Sequence, residues 1–453
     1  MITLRPYQQS LIAQTRAAMR AGARRILMQS PTGSGKTALT AAMLAAAAAR
    51  GRRCWFVVHR RELLEQSVET FVTAADLHTG IIAAGYPSTA AAPVQVCSVA
   101  SLPRRVAALK PPDLIVWDEC QHLASASWAA LAAQFPAATQ IGLTATPQRL
   151  DGKGLRPFFD VLLTGPSTAD LIAQGYLSRY RLYAPGTAPT LAGVHRVAGD
   201  FNRRELSDAM QSTTVVGDAL AHYRQHCPDA RALVFAWSLE VSRGIAQQFT
   251  DAGISAAHVD GETPRYERTE AMRRFRAGDL RVLCNVDLYG EGLDVPALDA
   301  VFLLRPTQSL SLYLQQVGRG LRPSPGKVVR IFDHVNNWAR HGLPDDPRAW
   351  SLDGVTRAKR EASEPMGRRC GVCFGVAGPS ARACPYCGVV YPVQAREVEQ
   401  VDGVLAEADL DALRVLGFAE AKRCQRCGMP CAKRFCGAGC FLAARRQWQR
   451  RTA

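Results

Sequence analysis

Ser30-Pro31-Thr32-Gly33-Ser34-Gly35-Lys36-Thr37 follows the apolar run 25–29 and opens the Ala- and Leu-rich stretch 37–50. A short buried strand, a glycine-containing turn and a strong helix former, in that order, make a cradle for phosphate. Gly33 and Gly35 let backbone N–H groups converge on phosphate oxygens, and the helix N-terminus adds partial positive charge. In such a loop Pro31, Thr32 and Ser34 shape the wall, Lys36 reaches the β- and γ-phosphates, and Thr37 holds Mg²⁺. The first position of the pattern is ordinarily glycine and is Ser30 here, while Gly51 gives the helix its stop.

Working outward, the run 114–117 ends in Asp118-Glu119-Cys120-Gln121-His122. An apolar strand that ends in two acids places carboxylates at the carboxyl edge of a sheet, where ligands bind in open α/β folds. Asp118 then holds Mg²⁺ through its water shell, and Glu119 orients or deprotonates an attacking water. Apolar runs at 25–29, 54–58, 114–117 and 140–143 read as one set of buried strands, and runs at 232–237, 281–285, 300–304 and 328–333 as a second. Continuous apolar strands separated by helices imply parallel sheets covered on both faces, so the chain reads as α/β with two such domains in tandem. Within the second set a helix is expected with Thr263 as its cap, Pro264 in its first turn and Gly278 after its end.

These residues, together with Leu4-Arg5-Pro6-Tyr7-Gln8, His59-Arg60-Arg61-Glu62-Leu63 and Thr144-Ala145-Thr146, resemble the first RecA-like domain of superfamily 2 helicases. The run 285–296 resembles motif V of that family, and Gln315-Gln316-Val317-Gly318-Arg319-Gly320-Leu321-Arg322 resembles motif VI with its Q-x-x-G-R-x-x-R spacing. The resemblance covers roughly residues 1–340 and is strongest to the DEAD/DEAH-box DNA helicases of phages and prophages, akin to the UvsW and XPB group. It implies two RecA-like P-loop domains that bind ATP and Mg²⁺ between them. Arg5 and Gln8 then lie beside the nucleotide, with Gly292, Asp294 and Gln315 facing it from the second domain, and Arg319 and Arg322 reach the γ-phosphate. A basic helix face gripping strand phosphates is the alternative for the two arginines. Arg60, Ser98 and Arg149 are strand-contact candidates by motif position, and Thr144 and Thr146 link the ATP site to the nucleic-acid groove. One departure stands out: the fourth position of the family's acidic box is Gln121, followed by His122, which puts membership of the strict DEAD or DEAH subgroup in doubt.

The composition agrees with a polyanionic partner: among 453 residues Lys and Arg outnumber Asp and Glu by 16 charges. The start MITLRPYQQS has no apolar core behind a basic end, and the longest apolar run, 38–49, is too short to span a bilayer, so a cytoplasmic protein is expected. Nine of the 14 cysteines fall between Cys370 and Cys440. Cys370-x-x-Cys373 and Cys384-x-x-Cys387, ten residues apart, suit a closed tetrahedral Zn²⁺ site of the ribbon type, with a redox dithiol as the alternative. Four of Cys424, Cys427, Cys431, Cys436 and Cys440 suffice for a second site; Cys424, Cys427, Cys436 and Cys440 are the preferred set, with Cys431 spare. Arg445, Arg446, Trp448, Arg450 and Arg451 then suit phosphate contact with base stacking.

The expected organisation is an ATP-binding domain over 1–183, a linker over 184–210 and a second RecA-like domain over 211–350. A linker over 351–368, a zinc ribbon over 369–392, an acidic spacer over 393–423 and a second cysteine module over 424–453 complete the chain. DNA is favoured over RNA as the strand, and the zinc tail is a candidate contact for replication or recombination proteins. The competing readings are an RNA helicase and a zinc-dependent nucleic-acid-binding adaptor with an idle ATPase core.

Overall fold

The computed structural model describes residues 3–87, 91–149, 152–185, 189, 191–197, 199–212, 219–288, 298–354 and 367–391. Met1–Tyr391 is one compact unit. Gly292, Asp294 and the cysteines from Cys424 to Cys440 lie outside the described residues, as do the basic residues from Arg445 onward.

Two parallel sheets organise the unit. The first contains β1 (Arg25–Gln29), β2 (Cys54–Val58), β3 (Thr79–Ile82), β4 (Val94–Ser98), β5 (Leu114–Trp117), β6 (Thr139–Thr144) and β7 (Val161–Thr164). Their spatial order is β3-β4-β2-β5-β6-β1-β7, with every neighbouring pair parallel. β2 and β5 are buried along their whole length, as continuously apolar strands covered on both faces must be. All carboxyl ends therefore emerge on one edge.

The second sheet contains β8 (Arg179–Tyr183), and a short ribbon of β9 (Arg196–Val197) and β10 (Asp200–Phe201) follows it in sequence. The sheet continues with β11 (Ala232–Phe235), β12 (Ala256–Val259), β13 (Val282–Asn285), β14 (Ala300–Leu303), β15 (Val328–Asp333), β16 (Arg368–Arg369) and β17 (Gly375–Ala377). Its order is β12-β13-β11-β14-β15-β8-β17-β16, parallel except for the last two strands, which are antiparallel additions.

Here the structure departs from the sequence reading in three places. β8 pairs in parallel with β15, so the chain enters the second sheet before Arg179 and not after residue 183. The ribbon read as linker is anchored instead: Asp200 accepts from Thr307 Oγ1 at 3.0 Å and pairs with Arg305 at 3.1 Å. The stretch read as the second linker returns first to the ATP-binding half, where Leu352 is buried in that core and Asp353 pairs with Arg156 at 3.0 Å. A smaller correction concerns Thr263. The helix Arg265–Ala277 has Pro264 as its cap, because the Thr263 hydroxyl donates to Asp260 at 2.9 Å.

Candidate functional site

The loop 30–35 is shaped from the backbone outward. Gly33 and Gly35 adopt φ of +83° and +80°, the left-handed region open to glycine, and Gly35 directly precedes the helix Lys36–Ala48. A Cβ on Gly35 would stand 2.8 Å from Gln8 Nε2. The Gln8 amide donates to the carbonyls of Ser34 and Gly35 at 3.2 and 3.1 Å, and Tyr7 donates its hydroxyl proton to the Ser34 carbonyl. Arg5 donates its backbone N–H to Gln8 Oε1 at 2.9 Å, and its guanidinium lies over the Tyr176 ring. Gln8 and Arg5 thus brace the loop from behind. Inside the loop Ser30 and Ser34 share a 2.7 Å hydroxyl bond, and Lys36 Nζ donates to the Ser30 carbonyl at 3.3 Å. Thr37 stands beside Lys36 at the start of the helix, and Pro31 accepts a turn bond from Ser34 N–H.

Facing this cradle, β5 ends at Trp117 and delivers Asp118 and Glu119 to the carboxyl edge. Glu119 takes a left-handed φ of +45°, which turns the chain sharply and keeps its carboxylate buried. Burial, and then the charge of Glu119, push the Asp118 carboxyl up to about 6, against the pull of Lys36 and His59. The Glu119 carboxylate accepts from Gln121 Nε2 at 3.0 Å and from Gln315 Nε2 at 3.4 Å. Gln315 lies in the second half of the molecule, on the helix Leu310–Gly320. The unusual Gln121 therefore donates to the acid pair, which an ionised Asp at that position could not do.

The helix Leu310–Gly320 is capped by Ser309, whose hydroxyl accepts from Leu312 N–H at 3.2 Å. Two of its glycines permit contacts on opposite sides. A Cβ on Gly320 would stand 2.7 Å from Val329 in the second sheet, and one on Gly318 would stand 2.5 Å from Thr32 in the phosphate loop. Arg319 is buried next to that contact, and the stem of Arg322 approaches Gly33, with 3.6 Å from its Cγ to a Cβ built there. The loop, the stem of Arg322 and, through Gln315, the acid pair thus meet where the helix Leu310–Gly320 packs on the first half. Gln121 Oε1, Gln316 Oε1 and Thr32 Oγ1 are buried there with no protein partner among the described residues, which leaves acceptors and a hydroxyl for a bound group.

Two further contacts bridge the halves. Thr146 donates its hydroxyl proton to Ser311 Oγ at 2.6 Å, while Thr144 Oγ1 receives the Thr146 N–H at 3.0 Å. Arg60 donates to the carbonyls of Asp287 and Leu288, the latter two residues just past β13. Asp287 has a left-handed φ of +55° and is paired with both Arg203 and Arg305. Ser98 closes β4, and Arg149 follows Thr146 in a turn closed by bonds to Lys153 and Gly152. All five nucleic-acid candidates therefore lie at or just beyond the carboxyl edge of the first sheet. Sequence reasoning gave Tyr7 and His59 no role of their own within the motifs that contain them, and it missed Ser311 and the Asp200–Arg305–Asp287 chain. Only Ser311 left a signal, its spacing of one helical turn before Gln315.

The four-cysteine module forms a second centre. The sulfur atoms of Cys370, Cys373, Cys384 and Cys387 all lie within 4.8 Å of one another. Cys370–Cys387 and Cys373–Cys384 stand at 3.6 and 3.5 Å. A tetrahedral Zn²⁺ with Zn–S of about 2.3 Å has S–S edges near ~3.8 Å, so the set fits a closed site. Backbone N–H groups of Cys373 and Val372 lower the Cys370 thiol from its ordinary value, whereas burial pushes the Cys373 thiol up to about 12. Among the described residues no helix is long and apolar enough to cross a membrane.

Comparison with known proteins agrees with this geometry. Residues 1–149 match the family described as type III restriction enzyme, res subunit, and residues 215–324 match the helicase conserved C-terminal domain. The chain is 32% identical over 389 residues to a 51.5 kDa protein of a Lactococcus phage, covering 85% of this chain and 82% of that one. It is 26% identical over 344 residues to the DNA 3′-5′ translocase XPB2 of Sulfurisphaera tokodaii, covering 66% and 75%. A fragment structure assigned as the HsdR subunit of a type I restriction enzyme from Vibrio vulnificus shares the fold with a TM-score of 0.59 at 22% identity, over 78% of this chain and 67% of that one. The chain belongs to the superfamily 2 helicases, a family of two-domain ATP-hydrolysing motors.

Proposed function

We propose that this chain is a cytoplasmic ATP-driven DNA helicase or translocase whose ATP site is the cleft between the loop 30–37 and the helix Leu310–Gly320. The observation that carries the reading is Glu119, whose single carboxylate is held from its own half by Gln121 and from the other half by Gln315. A general base that is positioned by both halves is aligned only when the halves meet, so closure and hydrolysis are linked. Lys36 and the backbone of Gly33 to Thr37 bind the phosphates, and Thr37 and Asp118 hold Mg²⁺. The metal supplies charge neutralisation at the phosphates. Arg319 and Arg322 stabilise charge from the second half. Opening after hydrolysis releases Arg60 and Thr146 from their partners, and these residues and Ser98, Thr144 and Arg149 grip strand phosphates without reading sequence.

DNA is favoured because the family match at residues 1–149 is to a restriction subunit and because XPB2 is a DNA translocase. The four-cysteine module holds Zn²⁺, and contacts with replication or recombination proteins belong to the cysteine-rich tail. The decisive measurement is ATP turnover with single-stranded DNA, duplex DNA or RNA. Stimulation by DNA is expected. Stimulation by RNA alone overturns the DNA assignment, and no stimulation at all, with Lys36→Ala matching the parent, favours the idle-core adaptor.

Two smaller effects follow from the geometry. Thr146→Val removes one inter-domain hydrogen bond, worth about 1 kcal/mol, so strand-stimulated turnover should fall about fivefold. Ser311→Ala should do the same, and the double variant should be no worse than either single one. At Asp118 protons and Mg²⁺ compete. The carboxyl, raised to about 6, is deprotonated above that pH and protonated below it, so the Mg²⁺ concentration for half-maximal turnover should rise as pH drops through 6 and stay flat above 7.

A further inference from the structure

A cavity of about 300 Å³ lies between the carboxyl ends of β8 and β15 and the four-cysteine module. It sits away from the ATP cleft but on the same sheet edge as Asp287, where Arg60 reaches across. Its wall is aromatic. The Tyr183 ring stacks on Phe332 at 5.3 Å and on His226 at 4.7 Å, and the His222 ring runs parallel to Phe332 at 6.0 Å. Burial, with His222 beside it, lowers the His226 pKa and so disfavours its cation.

The lip comes from the cysteine module. Val372 and Phe374 are 64% and 47% exposed and stand side by side at the cavity. Phe374 also holds φ of +58°, a strained conformation for a bulky residue, and it is fixed there because Ala184 N–H donates to its carbonyl at 3.0 Å. The strain presents an aromatic ring to solvent instead of burying it. The Arg369 guanidinium lies over that ring, 5.7 Å from its centroid, and its buried Nη1 has no partner among the described residues.

A cavity walled by aromatic rings, with a rim guanidinium whose Nη1 has no hydrogen-bond partner among the described residues, fits a nucleobase with its phosphate. An aliphatic peptide side chain would gain little from stacked rings and nothing from the cation. We propose that this cavity receives one unstacked base of the nucleic-acid strand after it leaves the ATP-driven groove, with Phe374 closing over the base and Arg369 meeting the adjoining phosphate. The proposal rests on the nucleic-acid reading above.

The test uses the full chain and single-stranded DNA that carries 4-thiothymidine, photo-crosslinked and mapped by mass spectrometry. Crosslinks are expected in the peptides that contain Tyr183, His226 and Phe374. Phe374→Gly suits the left-handed backbone and removes the ring. It should weaken strand binding about tenfold or more and abolish the fluorescence quenching of a 2-aminopurine strand, with metal content and unfolding temperature unchanged. Arg369→Gln should weaken binding and flatten its salt dependence. Crosslinks confined to the first sheet's edge, with ATP turnover still stimulated by the strand, would overturn the cavity assignment and leave the motor intact. Quenching by the free 2-aminopurine nucleotide but not by the strand would also overturn it. Loss of both strand stimulation and every crosslink would instead remove the nucleic-acid reading itself.

Discussion

Arg319→Ala is expected to cut strand-stimulated ATP turnover by about 10³- to 10⁵-fold while ATP still binds. The reason lies in the helix Leu310–Gly320. Gly318 lets that helix touch Thr32, and Arg319, the next residue, is buried and in the proposed site faces the phosphates. A guanidinium there meets charge that grows only in the transition state, so its loss affects turnover far more than binding. Lysine cannot copy the planar fork, so Arg319→Lys should recover only a minor part. Nucleotide binding measured with a fluorescent ATP analogue, beside steady-state turnover, separates the two effects. A variant that turns over normally, or one that fails only to bind DNA, would return Arg319 to the role of a phosphate-gripping residue.

Removing the four-cysteine centre should have the second largest effect. Cys384→Ser, or stripping with a thiol-directed reagent and chelator, is expected to release Zn²⁺ from this site and to unfold residues 367–391 as a unit. In small zinc modules the metal contributes about 10 kcal/mol or more of folding free energy. The module's other ties are weak beside that: Tyr386 donates to the Val376 carbonyl at 3.0 Å and accepts from Leu182 N–H at 3.2 Å, each bond worth about 1 kcal/mol. The Tyr386 ring packs so closely on Gly375 that a Cβ there would stand 1.9 Å away, so the knuckle and β17 move together. Hydrogen exchange should therefore rise in β8, whose edge β17 covers, and hardly change in β1 and β2. Unchanged exchange in β8 after metal loss would show that the module folds without its ion.

How much of this was legible in the sequence depended on burial. The spans 25–29, 54–58, 114–117 and 328–333 coincide with strands because central strands of parallel sheets are apolar throughout. β8 gave no apolar run because Arg179 and Arg181 interrupt Arg179-Tyr180-Arg181-Leu182-Tyr183 and stand exposed, a pattern that fits a strand whose neighbours are β15 and a short antiparallel strand. β17 has three residues, too few for any period. The loop, the acid pair and motif VI were readable because phosphate chemistry fixes residue types at fixed spacing. The Asp200–Arg305–Asp287 chain was not, since Asp200 lies 105 positions from Arg305 and only the fold brings them together. Gln8 was readable as a residue near the loop but not as its brace, because sequence carries no hydrogen-bond direction.

The placement of β8 has a consequence for biosynthesis. The strand emerges from the ribosome long before either of its partners, β15 and β17, has been made. Until then both of its edges are open, and an open edge pairs readily with a neighbouring chain. The exposed Arg179 and Arg181 suit a gatekeeper's place during that interval, because like charges oppose pairing with a second copy of the same basic strand. A chain that stops short of residue 367 would carry the hazard permanently, and its yield in soluble form would be decided by those two charges.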